Sequence, residues 1–147
     1  MTIDEMIEAW RKNNVLNHAL LDICTDEDLE LKPGRGKTIR SNLVHIIGVR
    51  RSWAEESAKN EANNIPKLDW KTATRQEIKE ALDKSQDVIA EVFRCKEEKG
   101  RWNPFVFFGY LIAHEANHRA QIEIALRLND REPDDKFLYG LWEWSKL

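Results

Sequence analysis

Apolar residues recur at three- and four-residue steps in four stretches of the chain, and each stretch predicts an amphipathic helix. The first covers Thr2 to Ile23, where Ile3, Met6, Ile7, Trp10, Leu16, Leu20 and Leu21 form the stripe. Thr2-Ile3-Asp4-Glu5 has the form of a capping box, in which hydroxyl and carboxylate each take an otherwise unpaired backbone N–H. Asn13, Asn14, Asn17 and His18 interrupt the stripe. Some of them could face the interior, but the expectation for such residues is solvated surface or local hydrogen bonding. After a loop, Asp26 to Lys37, with a Pro-Gly turn signal, Thr38 caps a second helix predicted over Ile39 to Lys59. Its apolar positions are Ile39, Leu43, Val44, Ile46, Ile47, Val49 and Trp53, with His45 among them. Gly48 lies one turn after His45. A mid-helix glycine costs about 1 kcal/mol against alanine. The expected compensation is close approach of a neighbouring helix, and the alternative is open volume beside His45.

Asn60 to Thr72, with Pro66 and Trp70, reads as a long connection. It is long enough to cross the end of a bundle, so that the third helix runs parallel to the second. That third helix opens on a second capping box, Thr74-Arg75-Gln76-Glu77, and carries the stripe Ile78, Ala81, Leu82, Ser85, Val88, Ile89 and Val92 through Phe93. It holds no histidine and reads as packing. Cys95 to Asn103 is expected to be a charged loop containing Gly100. The fourth helix covers Phe107 to Leu128, with Asn103 able to cap it and Pro104 suited to the first position. Pro133 marks its stop. The short aromatic tail, KFLYGLWEWSKL, is expected to fold over the bundle end or to join a partner chain. There is no repeat, no low-complexity tract and no strand pattern. The chain therefore reads as one all-α domain over residues 1–147.

The fourth helix also carries the chemistry. Phe107, Leu111, His114, His118, Ile122 and Ala125 share one face, which places two histidines one turn apart on an apolar stripe. An imidazole inside a core needs partners for both ring nitrogens, and a metal ion satisfies two rings at once. Adding His45 from the second helix gives three neutral imidazoles, suited to Zn²⁺ or Ni²⁺ with a coordination position left open. His18 is not expected to join them. His114-Glu115-Ala116-Asn117-His118 also matches H-E-x-x-H, which in zinc metalloproteases supplies two ligands and a general base. The protease reading is disfavoured: no third downstream histidine follows, and no strand is available to hold an extended peptide. Glu115 remains a candidate catalytic residue, set about 100° around the helix from His114. The bland alternative is a surface or inter-helix salt bridge. Gln121, three residues past His118, is a candidate to line the pocket. Arg119 is expected to point toward helix termini or a partner.

Composition narrows the classes. The 147 residues carry a net charge of −3, without the basic excess a nucleic-acid groove requires. No apolar run approaches membrane-spanning length, and the N-terminal segment lacks the pattern of a signal peptide. Cys24 and Cys95 form no CxxC and read as reduced thiols in a cytoplasmic protein. Of the six tryptophans, Trp10, Trp53 and Trp102 are expected to supply core or pocket wall.

The segments LKPGRGKTIRSNLVHIIGVRRSW, YLIAHEANHRAQIEIALR and FLYGLWEW together resemble the DinB-like superfamily. The resemblance covers nearly the whole chain. It rests on one histidine in the second helix, a His-x-x-x-His pair in the last long helix and a following Arg-x-Gln: here His45, His114, His118, Arg119 and Gln121. It implies a four-helix bundle with an up-down-down-up course, a three-histidine divalent metal site and frequent homodimerisation. Some members act on small molecules as thiol-dependent transferases or isomerases with a low-molecular-weight thiol as cosubstrate. The expectation is therefore a metal-dependent S-transferase or hydrolase. A non-enzymatic helical dimerisation module is the alternative from another class. Relatives often carry a glutamate one turn after the second-helix histidine. Here that region is Val49-Arg50-Arg51, which weakens transfer of any specific activity.

Overall fold

The computed structural model describes residues 1–99 and 102–147. Four long helices pack together: α1 (Ile3–Ile23), α2 (Ile39–Ser57), α4 (Arg75–Lys99) and α5 (Pro104–Leu128). Two short ones join them, α3 (Lys59–Ala62) and α6 (Asp135–Gly140), and no strand occurs among the described residues. The caps follow the local chemistry. Thr2 and Glu5 close the capping box on α1, and Thr38 accepts from the Ser41 N–H at the start of α2. Thr74 and Glu77 exchange the same pair of bonds at the head of α4. Asn103 accepts from the Phe105 N–H, with Pro104 in the first helical position of α5.

Two boundaries depart from the sequence reading. The second helix ends at Ser57, where Ala58 leaves the helical region (φ −142°, ψ 60°), and Lys59–Ala62 turns separately. The third runs past Phe93 to Lys99, so Cys95–Lys99 is helix and not loop. Lys96 explains the extension. Its ammonium lies 4.7 Å from the Phe107 ring centre and 5.3 Å from that of Trp53, and it bonds Glu56 at 3.2 Å. A charge held over aromatic faces lets a polar turn remain inside the bundle. The expectation for Gly100 lies outside the described residues.

The core is the meeting of the stripes: Met6, Trp10, Leu20, Leu43, Ile46, Leu82, Ile89, Phe93, Phe107, Leu111 and Ile122 are fully enclosed. Each such large apolar side chain contributes about 1.5–3 kcal/mol on burial. The helices also pair through specific bonds. Arg94 reaches Asp4, and the Trp10 indole donates to the Gln86 carbonyl between α1 and α4. Arg40 reaches the Ala73 carbonyl and Lys99 the Ser57 carbonyl between α2 and the chain around α4. The aromatic tail packs back on the bundle: Leu141 is buried, Phe137 and Trp144 lie against the core, and Lys12 bonds the Trp144 carbonyl.

Candidate metal centre

The last long helix buries a different line of residues from the one its sequence suggests. Phe107, Leu111, Ile122 and Ala125 are enclosed as expected, but the residues completing the buried line are Glu115 and Arg119, while His114 and His118 are half-buried at its edge. Arg119 therefore does not point to a helix terminus or a partner. Its guanidinium donates to Asn17 Oδ1 at 2.9 Å. Arg119 and Glu115 can sit inside because α1 and α2 supply their partners. Arg50 of α2, fully buried, grips Glu115 with two bonds of 2.7 and 2.9 Å. Asn13 and Asn17 of α1 donate to the same carboxylate at 2.7 and 2.9 Å. The remaining Arg50 donors go to Ser85 Oγ, the Leu82 carbonyl and Asn14 Oδ1. Asn13, Asn14 and Asn17 are thus interior, contrary to the expectation of solvated surface. The four bonds to Glu115 occupy its two oxygens from three side chains. Burial works to raise its pKa, but the Arg50 charge and the hydrogen bonds from Arg50, Asn17 and Asn13 outweigh it and hold the carboxyl below the usual range.

Beside this network, α2 and α5 bring His45, His114 and His118 together, with one ligand-capable atom from each within 4.8 Å of the others. His114 Nε2 stands 3.4 Å from His45 Nε2, and the His118 ring centre is 4.7 Å from each of the other two. Two imidazole nitrogens each about 2.0–2.1 Å from one tetrahedral ion would stand about 3.3–3.4 Å apart. The observed spacing fits that arrangement and is long for a direct N–H···N bond.

A further contact fixes one tautomer. The Asn42 amide nitrogen donates to the Lys37 and Thr38 carbonyls, so its Oδ1 is the atom facing His118 Nδ1 at 2.8 Å. His118 Nδ1 must then carry the proton, leaving Nε2 with a free lone pair. His114 Nδ1 is buried without a protein partner. Burial lowers the pKa of all three histidines. For His45 the Lys37 and His114 charges add to the effect, and His118, next to both other rings and Lys37, falls to about 4. The three rings are therefore neutral at pH 7, the form that ligates a metal.

The surroundings are asymmetric. Tyr110, one turn before His114, lies nearly parallel to its ring (centres 6.0 Å, planes 19°). Trp53 and Trp102 stack on each other and both contact Tyr110. On the α2 side Gly48 is exposed, and a Cβ built there would meet nothing within 4 Å. Close helix packing, the expected reason for this glycine, is therefore not its reason.

The other candidates fall elsewhere. His18 Nε2 faces Asp83 at 2.8 Å and is not part of the histidine group. Gln121 is half-buried on α5, with the spacing that puts it on the His114–His118 side. Both cysteines are free. Burial, with the Asp28 charge, pushes the Cys24 thiol up to about 12, which removes it as a nucleophile. Of the tryptophans, Trp10 is core, and Trp53 and Trp102 form the wall beside Tyr110. Sequence reasoning did not single out Asn42, Arg50 or Tyr110. Asn42 and Tyr110 carried a signal, being three and four residues before a candidate ligand on the same helix. Arg50 had none, because its partner lies on another helix.

No described helix is long and apolar enough to cross a membrane. A family model described as the DinB family matches residues 1–135. Neither the curated proteins nor the solved structures contain a match to the chain.

Proposed function

The chain belongs to the DinB family, and from that premise and the histidine geometry we propose that His45, His114 and His118 hold one divalent metal ion in an open site. The carrying observation is the 3.4 Å separation of two facing ring nitrogens, with the third histidine's protonated nitrogen turned to Asn42. Zinc and nickel are the ions best suited to neutral imidazoles in this number. Such an ion makes a thiol or water bound beside it more acidic than in bulk. The chemistry this supports is transfer from or to a low-molecular-weight thiol, or hydrolysis, on a small-molecule substrate.

The protein's own residues supply the frame. Asn42 orients the His118 ring, and Tyr110 backs His114. The Arg50–Glu115 clamp ties the helix bearing His45 to the helix bearing the pair. In this reading Glu115 is a positioning residue. Its oxygens are committed to four hydrogen bonds, so it holds no proton for the reaction, and the H-E-x-x-H protease chemistry lacks its base. Gln121 is the polar side chain proposed to meet bound substrate. The helix pairings support an up-down-down-up course for the four long helices. The exposed Tyr139 and Trp142 of the tail favour a homodimer, and a cytoplasmic protein acting without nucleic acid or membrane completes the reading. A purely structural dimerisation module would share that tail but would not need facing imidazoles.

The test is the metal-to-protein ratio after zinc or nickel loading and exhaustive desalting, in the wild type and in His45→Ala and His118→Ala. One equivalent in the wild type and a loss in both variants is expected. Equal content in all three would remove these histidines from the site.

A further inference from the structure

A cavity of about 250 Å³ opens on the side of α5 turned away from the histidines. At about 100° per residue, Ile112, Arg119 and Glu123 share one side of that helix, and the His114–His118 line lies roughly 150° around from it. The tail closes the other wall. Leu141, Trp142 and Trp144 line the cavity, and Lys12 holds the tail there through its bond to the Trp144 carbonyl. Drug-sized ligands fill roughly 300–1,000 Å³, so a space of this size matches a small metabolite. The wall is mostly apolar, but it carries two opposite charges that the fold leaves unspent. Arg119, 7% exposed, gives one N–H to Asn17. Its Nε and Nη2 make no hydrogen bond among the described residues and are not enclosed, and the cavity is the space Arg119 lines. Glu123, half-buried one turn on, makes no hydrogen bond or ion pair among the described residues, and the nearby Arg127 is taken by Glu132 at 2.9 Å. Burial raises the Glu123 carboxyl above its ordinary range against the pull of Arg127 and Arg119. Arg119 and Glu123 have the i, i+4 spacing of a helical ion pair, yet Arg119 is turned toward Asn17 and Glu115 and does not pair with Glu123.

We propose that this cavity is a second binding site, for a small zwitterion bearing an apolar group, an apolar α-amino acid above all. The ligand's carboxylate takes the unspent Arg119 donors, its ammonium meets Glu123, and its side chain lies against Ile112, Leu141 and the tryptophans. A purely anionic ligand would set its charge against Glu123, and a purely cationic one against Arg119. A ligand of both signs matches each. Partly desolvated charges without partners are costly, and such a ligand relieves both at once. The proposal does not depend on the metal reading of the three histidines.

The experiment titrates the full chain with L-leucine and L-phenylalanine, followed by calorimetry and tryptophan fluorescence. The comparison probes are 4-methylpentanoate and 3-phenylpropanoate, which lack the ammonium, and 3-methylbutylamine and 2-phenylethylamine, which lack the carboxylate. At least one of the two amino acids should bind at one site, at least about tenfold more tightly than both of its analogues, because each analogue leaves one charge of the cavity unpaired. Glu123→Gln should shrink the advantage over the carboxylate-only analogue and keep that over the amine. Ala120→Phe, at an exposed helical position that lines the cavity, should fill it and abolish binding. His118→Ala should bind the amino acid as the wild type does, which separates the cavity from chelation at a histidine-bound metal. No binding of either amino acid at millimolar concentration, equal affinity for an analogue, or an unchanged advantage in Glu123→Gln would overturn the site. So would binding retained in folded Ala120→Phe, or binding lost in His118→Ala, which would move the ligand to the histidines. A changed oligomeric state in Ala120→Phe, with no amino acid bound by the wild type, would overturn it in favour of a second copy of the chain. The metal-to-protein ratio is measured separately, so failure of either reading leaves the other standing.

Discussion

Replacing Arg50 by methionine tests the frame that carries the site. Arg50 is fully buried and donates five hydrogen bonds, two to Glu115 and one each to Ser85, Leu82 and Asn14. Its guanidinium also lies 4.6 Å from the centre of the Trp10 ring. Methionine keeps most of the stem volume and removes the charge. The Glu115 carboxylate would then remain enclosed with only Asn13 and Asn17 as donors from outside its own helix, and with Arg119 at 3.9 Å. Removing one partner of a buried ion pair costs about 3–5 kcal/mol. Total stability is about 5–15 kcal/mol, so the variant should remain folded but weakened, melting roughly 6–20 °C lower at 2–4 °C per kcal/mol. The pH dependence carries the sharper signature. In the wild type the Glu115 pKa is held below its ordinary value, so its contribution is present above the unfolded pKa and lost as pH falls through the folded one. In Arg50→Met the burial that works to raise the pKa loses its main opponent, so protonation relieves the buried charge. Urea unfolding of both proteins at pH 7.5 and pH 5 should therefore show the gap between them narrowing at the lower pH. The histidines are common to both proteins and cancel in the difference. A loss below about 1 kcal/mol, or a gap that widens on acidification, would show that Arg50 and Glu115 do not depend on each other in the way described.

Two other perturbations address the centre itself. Asn42→Ala removes the acceptor that fixes His118 and should weaken zinc binding by about 10–100-fold without changing the stoichiometry, as read by competition with a chromogenic chelator; an unaltered affinity would mean His118 needs no orienting partner. The metal-free protein should lose stability as pH falls from 7 toward 5. Burial lowers the pKa of His45, His114 and His118, the last to about 4, so the unfolded chain takes up protons before the folded one does. Urea midpoints across that window check the sign, and a rise on acidification would mean that the rings gain rather than lose by protonation in the fold.

The helices were legible because their apolar residues repeat with the helical period and because Thr2, Thr38, Thr74 and Asn103 announce their starts. The end of α4 was not, since Lys96 reads as a surface charge until Trp53 and Phe107 are known to lie around it. The same limit hid the polar interior. Asn13, Asn17 and Glu115 are ordinary surface residues by type, and only the three-dimensional meeting of α1, α2 and α5 gives each a partner. On α5, three turns separate Leu111 from Ile122, and either His114 and His118 or Glu115 and Arg119 can fill the interval on the inward side. Periodicity does not choose between them, and the buried guanidinium of Arg50 does. The meeting of the three histidines was legible in outline, because His45 and the His114–His118 pair both interrupt apolar stripes. Gly48 stands out in the sequence for its helix cost, yet the open space around it shows only in the folded chain.

X-ray absorption at the metal edge of the zinc-loaded protein tests the central claim most directly. The account predicts a first shell with three imidazole nitrogens at about 2.0–2.1 Å and at least one further light atom, reduced to two imidazoles in His45→Ala. A shell with one imidazole or none in the wild type, or the same shell in the wild type and His45→Ala, would contradict it.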